Sequence, residues 1–397
     1  MNNVIAPPVA PKANLFPAFK RGAREYGLLT SLLVIVVFFQ IFTDGALLQP
    51  LNLTNLILQN SYIVVMALGM LMVIVCGHID LSVGSIVGVI GSIAAVLMVQ
   101  YRMDFVTVSL ICLLAGGLIG AAQGYWVAFW GMPSFIVTLG GMLVFRGATI
   151  AISNGQSIGP FPEHFVALSA GFLPDPFQGG GLRITSILLG VLVVASFVWV
   201  EWRARRRTIK AGTAPVAMSL FLLKNGVLGA LIIGFCYLLA TYRGLPAVLV
   251  IMCLLIGLYT FIMNRTVIGR WVYAVGGNLK AAKLSGINTA RVTFFTFVNM
   301  GVLAAVAGLI FVARLNSATP RAGSGFELDV IAAVFIGGAS ASGGVGKVIG
   351  VVIGAFIMGV LNNGMSIMGI GVDYQQMIKG AVLLAAVFVD VYQKNRA

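Results

Sequence analysis

Twelve stretches of this chain are apolar and long enough, or nearly so, to bury a helix in hydrocarbon. They lie near 27–43, 61–77, 81–100, 106–129, 134–152, 183–201, 222–241, 246–263, 292–313, 327–341, 347–368 and 376–392. A helix rises 1.5 Å per residue, so about 20 apolar residues cross a bilayer core roughly 30 Å thick. Only helices and closed barrels satisfy every backbone polar group in lipid. The pattern therefore predicts an all-α polytopic membrane protein with about 12 transmembrane helices. The tenth run is short, as a helix broken at mid-membrane would be. Composition closes off the soluble alternative. Only 9% of the 397 residues are charged and 59% are hydrophobic, whereas a soluble domain carries about a quarter charged residues. The 49 glycines sit inside apolar runs, where small residues let helices approach closely.

The formal charge of +14 does not point to nucleic acid. The basic residues cluster at the ends of apolar runs, with no basic stripe interleaved with stacking aromatics. Their distribution sets an orientation instead. With the N-terminus inside, 18 of the 25 Lys and Arg residues fall in cytoplasmic segments, chiefly before residue 27, over 203–224 and over 265–291. The opposite orientation would place all of these outside, against the positive-inside rule. Both termini are expected in the cytoplasm, with Asp44–Ser61 and Asn154–Leu182 outside. The second of these carries Pro160, Pro162, Pro174, Pro176 and Gly179-Gly180-Gly181 and reads as a surface loop. Residues 1–26 read as a cytoplasmic tail, not a signal peptide, because no small-residue cleavage site follows the first apolar run.

Cys76, Cys112, Cys236 and Cys253 lie in or beside apolar runs without a CxxC pair, and His78 and His164 offer no zinc spacing. The cysteines read as small buried hydrophobes, and no disulfide frame, metal site or cofactor is expected. The run Ser342-Gly-Gly-Val-Gly-Lys347 imitates a phosphate loop. Ala341 stands where the first Gly is needed, and Val348 where a magnesium-binding Ser or Thr is needed. No ATP site and no enzyme activity of the chain itself are expected.

A weak internal repeat pairs His78-Ile79-Asp80 with Glu327-Leu328-Asp329, and Gly124 and Gly131 with Gly364 and Gly371. Two inverted five-helix repeats over 27–152 and 246–392 follow from it. Residues 153–182 form a periplasmic loop between them, 183–245 a two-helix insert, and 393–397 a cytoplasmic end. Chance similarity of Gly-rich helices is the alternative. A carboxylate near an apolar span costs roughly 2.5 to 3.5 kcal/mol at helix centre. Asp80 and Asp329 therefore cap helices or line a cargo path. Glu327 has Arg314 and Arg321 within its own outer segment. Arg146, about 18 Å into its span, pairs with an acid, snorkels or braces the bundle. Tyr125, Trp126 and Trp130 fit an interfacial belt, with stacking on a ring of a ligand as the other reading.

Within the cytoplasmic segment 265–291, Lys280, Ala281, Ala282 and Gly286 match the E-A-A-x-x-x-G pattern of importer coupling loops, with Lys in place of Glu. Small alanines suit a close contact, and Gly286 suits a left-handed helix end. Further blocks extend the likeness. They are Val75-Cys-Gly-His-Ile-Asp-Leu-Ser-Val-Gly84, Met132–Gly140 with Phe145-Arg-Gly147, Gly276-Gly-Asn278 with Leu284–Asn288, and Gly325–Ala333 followed by Asn362-Asn-Gly364. Over about 30–392 the chain resembles the permease subunits of monosaccharide ABC importers, and most of all the xylose and multiple-monosaccharide permeases, which share the stretch near 180–242. His78 departs from the family pattern.

The resemblance implies a homodimer with the path at its interface, a tandem ABC ATPase that binds ATP and Mg²⁺, and a periplasmic sugar-binding protein. The implied cargo is xylose or another aldose, and the implied location is the bacterial inner membrane. Asp80, Ser82, Phe145, Glu327, Asp329, Asn362 and Asn363 would line the pathway. Gly277, Asn278, Lys280, Ala281, Ala282, Ser285 and Gly286 would couple to the ATPase, with Ala282 facing its groove. A twelve-helix secondary transporter driven by an ion gradient is the rival reading.

Overall fold

The computed structural model describes residues 15–177, 181–212 and 217–395, and all regular elements among them are helical. In chain order these are α1 (Leu15–Phe42), α2 (Pro50–Val75) and α3 (Val83–Ala95), the last continued by a π-helical turn over Val96–Gln100. Then come α4 (Phe105–Phe129), α5 (Ser134–Ile152), α6 (Glu163–Ala170), α7 (Ile184–Lys210) and α8 (Met218–Ala240). After them follow α9 (Ala247–Arg265), α10 (Val267–Gly277), α11 (Leu279–Leu284), α12 (Thr289–Leu315), α13 (Phe326–Ile336), α14 (Val348–Ile367) and α15 (Val372–Asn395). Each apolar run of the sequence falls on one of these helices. Among the described residues nine helices are long and apolar enough to cross a membrane: α2, α3 with its π turn, α4, α5, α7, α8, α9, α12 and α14. The short tenth run is α13, whose 11 residues rise about 16 Å, half of a bilayer core.

Several boundaries differ from those read in the sequence, for local reasons. α1 begins at Leu15, so the second half of the expected 1–26 tail is helical; residues 1–14, 178–180, 213–216 and 396–397 lie outside the described residues. α2 begins at Pro50, eleven residues ahead of the expected 61, because proline fits the first helical turn. α7 runs on to Lys210, since arginines are good helix formers even outside the apolar span. The expected loop over 153–182 contains α6, which starts just after Pro162 and buries Phe165 and Ser169.

The buried centre is built from α2, α3, α12 and α14. Of the most apolar window of α2, 89% is buried, against 11% for α7. α4 lies on α12 through Gly116, Gly120 and Gly124, which share one helix face. A Cβ on Gly120 would stand 2.3 Å from the carbonyl oxygen of Phe297, so the two backbones touch, as small-residue stripes allow. α7 and α8 pack on each other at the edge of the bundle.

The connecting segments gather at two ends. At one end Gly344 N–H donates to Val75 O at 2.8 Å and Tyr273 Oη to Gly346 O at 2.6 Å. At the other, Ile158 pairs with Ala318 and Phe172 with Pro246, and Phe161 N–H donates to Asn316 Oδ1 at 2.8 Å.

Candidate functional site

Two short helices, α3 and α13, begin against each other inside the bundle. A Cβ on Gly84 would stand 2.3 Å from Gly323 O and 2.5 Å from Glu327 Oε2. The irregular stretch before α3 is tied to α5: Ile79 N–H donates to Ser134 Oγ at 3.3 Å and Leu81 N–H to Thr138 Oγ1 at 3.1 Å. Asp80 does not cap α3 as one reading of the sequence held. The capping position belongs to Ser82. The buried Asp80 carboxylate closes a turn instead, accepting Ser82 N–H at 2.8 Å and Ser82 Oγ–H at 2.6 Å. Gln123 Nε2 on α4 donates to Ser82 Oγ at 2.8 Å.

Around the start of α13 two buried acids find partners on other helices. Glu327 Oε1 accepts from Arg146 Nη2 on α5 at 2.8 Å, not from Arg314 or Arg321 in its own segment. Of the readings given for Arg146, pairing with an acid is the one realised. Asp329 is the fourth residue of α13 and not its cap, which is Gly325. Its Oδ2 accepts from Lys379 Nζ on α15 at 3.1 Å and from Asn362 Nδ2 on α14 at 3.4 Å. Two acids in a first helical turn also suit the helix dipole. At the next residue of α14, Asn363 and Asn52 exchange amide hydrogen bonds of 2.8 and 3.1 Å. Phe145 is half-buried beside Gly141. Glu327 Oε2, Asp329 Oδ1, Asn362 Oδ1 and Arg146 Nε are buried without a hydrogen-bond partner among the described residues. Each such group costs about 1–3 kcal/mol. The start of α13 and the residues beside it therefore concentrate unmet acceptors and a donor.

At the end of the bundle that holds Val75 and Gly346, α10 and α11 form a rigid elbow. Thr266 Oγ1 accepts Gly269 N–H at 3.3 Å and starts α10; Asn278 Oδ1 accepts Ala281 N–H at 3.0 Å and starts α11. α11 ends at Ser285, whose hydroxyl donates to Ala281 O at 2.9 Å. Gly286 follows with φ +82°. Gly286 N–H donates to Lys283 O and Ile287 N–H to Ala282 O, each at 3.1 Å. That pair of bonds is a Schellman end, as the glycine position led us to expect. Ala282 departs from expectation. It is 4% exposed and packs on the chain's own core, whereas Leu284 is 90% exposed. On a helix this short one side must anchor, and the outward side is Leu279, Lys280, Ala281, Lys283 and Leu284, with Gly277 and Ser285 also exposed. The elbow sits on α2 through Gly276, where a Cβ would fall 1.7 Å from Val75 O. Beside it a cavity of about 440 Å³ is bounded by His78, Pro133, Leu279 and Thr293, so α11 and the segment before α3 share a wall.

The family described as "branched-chain amino acid transport system / permease component" matches residues 52–387. The chain is 40% identical to the xylose transport system permease protein XylH of Escherichia coli K12, over 94% of this chain and 93% of that protein. Its identity to the same-named protein of Haemophilus influenzae is 42%, over 94% and 97%. It is 34% identical to the ribose import permease protein RbsC of Escherichia coli K12, over 85% of each. The chain belongs to this permease family. No solved structure matches the permease. As a permease component, it is the membrane-spanning part of its transport system and not the ATPase subunit.

In this permease the structure brings Asp80 and Ser82 into one network, Glu327 with Arg146 into a second, and Asp329 with Asn362 into a third. Gln123 joins the first and Lys379 the third, while Asn52 pairs with Asn363 apart from them; none of these three partners was among the expected site residues. Lys379 had a signal, as the one Lys or Arg within the run 376–392. Gln123 and Asn52 had none beyond being amides in or near apolar helices.

Proposed function

We propose that this permease is the membrane-spanning subunit of a binding-protein-dependent ABC importer that carries xylose or another aldose into the cytoplasm. The likeness to xylose permeases along nearly their whole length carries this reading. The same reading supplies the partners: a second copy of the permease with the path between them, a tandem ATPase holding ATP and Mg²⁺, and a periplasmic sugar-binding protein. Both termini then face the cytoplasm of a cell bounded by this inner membrane.

The geometry supports a mechanism of that kind. The exposed side of α11 is the contact surface for the ATPase. Force applied there passes through Gly276 onto the end of α2, and through Tyr273 onto the 340–347 loop that precedes α14. Both lead to the segment holding Asp80 and to α13, where the unmet polar atoms lie. A movement of the starts of α3 and α13 exposes acceptors and donors to sugar hydroxyls and then buries them again. Binding energy is then exchanged between internal pairs and cargo, which is alternating access in hydrogen-bond terms. The rival secondary transporter gives α11 no role.

Cells lacking their own xylose permease, supplied with this chain, its ATPase and its binding protein, are expected to regain uptake of labelled xylose. Unlabelled xylose should compete more strongly than ribose. Uptake of leucine with none of any aldose would overturn the cargo assignment. Orientation has its own check. Lys280→Cys in an otherwise cysteine-free permease should react with an impermeant maleimide only after cells are opened; labelling in sealed cells would reverse the topology.

A further inference from the structure

α7 is among the least buried long helices of the described residues, with 11% of its most apolar window buried, as in α5. Ser186 and Gly190 alone are buried among its described residues, Gly190 lying against Cys236 of α8. One face of α7 carries three chemistries in order. Val191, Val194, Ala195 and Val198 recur at the spacing of a helix face, Trp199 and Trp202 continue it, and Arg203 and Arg206 follow on the same stripe. With Ile233 of α8, the apolar residues and both tryptophans bound a groove of about 470 Å³. From Val191 to Trp202 the helix rises about 16 Å, close to the roughly 15 Å of hydrocarbon in one leaflet.

The basic groups are held in place at the groove's end. The Arg203 guanidinium carbon lies 3.7 Å from the centre of the Trp199 ring, and that of Arg206 lies 5.4 Å from the centre of the Trp202 ring. Stacking fixes the guanidinium planes and leaves their N–H edges for an oxyanion. Glu201, the acid of this stretch, is engaged by Lys224 at 2.6 Å and Asn225 at 3.2 Å. Among the described residues neither Arg203 nor Arg206 takes part in a salt bridge.

We propose that the α7–α8 hairpin holds one anionic phospholipid, with an acyl chain in the groove and the phosphate on Arg203 and Arg206. The order apolar, aromatic, basic along a single stripe is the order acyl chain, glycerol, phosphate of such a lipid. Tryptophan belongs at the level of the headgroups, and Arg adjoining a membrane attracts anionic lipid. A purely apolar groove would take any acyl chain; the two arginines select the headgroup. The proposal rests on the membrane-embedded fold and is independent of the cargo.

Native mass spectrometry of the purified full-length permease tests it, with phosphatidylglycerol or phosphatidylcholine of identical chains added in turn. The first phosphatidylglycerol should bind on the order of tenfold to thirtyfold more tightly, as two membrane-adjacent arginines imply. The double variant Arg203→Gln/Arg206→Gln should lose that preference, and Trp199→Ala should weaken both lipids. The control variant Arg270→Gln, in α10, should keep the preference. Equal binding of the two lipids by the unaltered permease would overturn the proposal, needing no variant. Survival of the preference in the double variant would overturn it too, as would displacement of the lipid by soluble glycerol phosphate at matched concentration, which would mark a simple anion site.

Discussion

Lys379→Met is expected to destabilise the permease sharply and to abolish uptake. Lys379 Nζ lies 3.1 Å from Asp329 Oδ2, and the Asp329 side chain is only 9% exposed. Removing the cation leaves a carboxylate in the bundle with a single weak donor, Asn362. Breaking a buried pair in this way costs about 3–5 kcal/mol, whereas exchanging both partners for apolar groups is often neutral. The double variant Asp329→Leu/Lys379→Met should therefore regain most of the lost thermal midpoint, read by fluorescence-detected size exclusion. Its uptake should stay at background, because the polar atoms at the start of α13 are gone. Full uptake in the stable double variant would reduce the pair to a structural brace.

The second large effect is expected at Gly276. A Cβ there would stand 1.7 Å from Val75 O and 2.8 Å from Gly344 N. Both obstacles are backbone, so no rotamer change relieves them; overpacking of this kind costs typically 1–3 kcal/mol and occasionally more. Gly276→Val should lift α10 off the end of α2 while α11, some residues further on, keeps its own caps. The ATPase should still co-purify, yet sugar-stimulated hydrolysis and uptake should fall at least tenfold on the order of the energies just given. Gly257→Ala in α9 meets nothing within 4 Å and should behave as the unaltered permease. Normal stimulation in Gly276→Val would mean that force does not travel by this contact.

Much of this structure was legible in the chain, because bilayer thickness and backbone satisfaction leave few choices. Each apolar run became a helix, the short tenth run became the half-length α13, and Gly286 adopted the left-handed conformation its position required. Partner choice was less legible. Arg314 and Arg321 are near Glu327 in sequence, but Arg146 reaches it from α5, since inside a bundle proximity is set by helix packing and not by chain distance. Ala282 looked outward because alanine suits close contact with a partner; it faces inward because a two-turn helix needs an anchor on its own chain. The early start of α2 and the helix hidden in the 153–182 loop escaped because proline reads as a breaker, although it also opens helices. The short helix over Leu279–Leu284 forms despite Lys280, since its caps, Asn278 and Gly286, hold it without any help from position 280.

The most direct measurement is transport by purified components in sealed proteoliposomes. Permease, ATPase and binding protein are reconstituted together, with ATP and Mg²⁺ enclosed on the side of α11. Labelled xylose should accumulate only when ATP is present on that side, and dissipating proton and sodium gradients should leave the rate unchanged. Accumulation by the permease alone, abolished by those ionophores and indifferent to ATP, would contradict the importer.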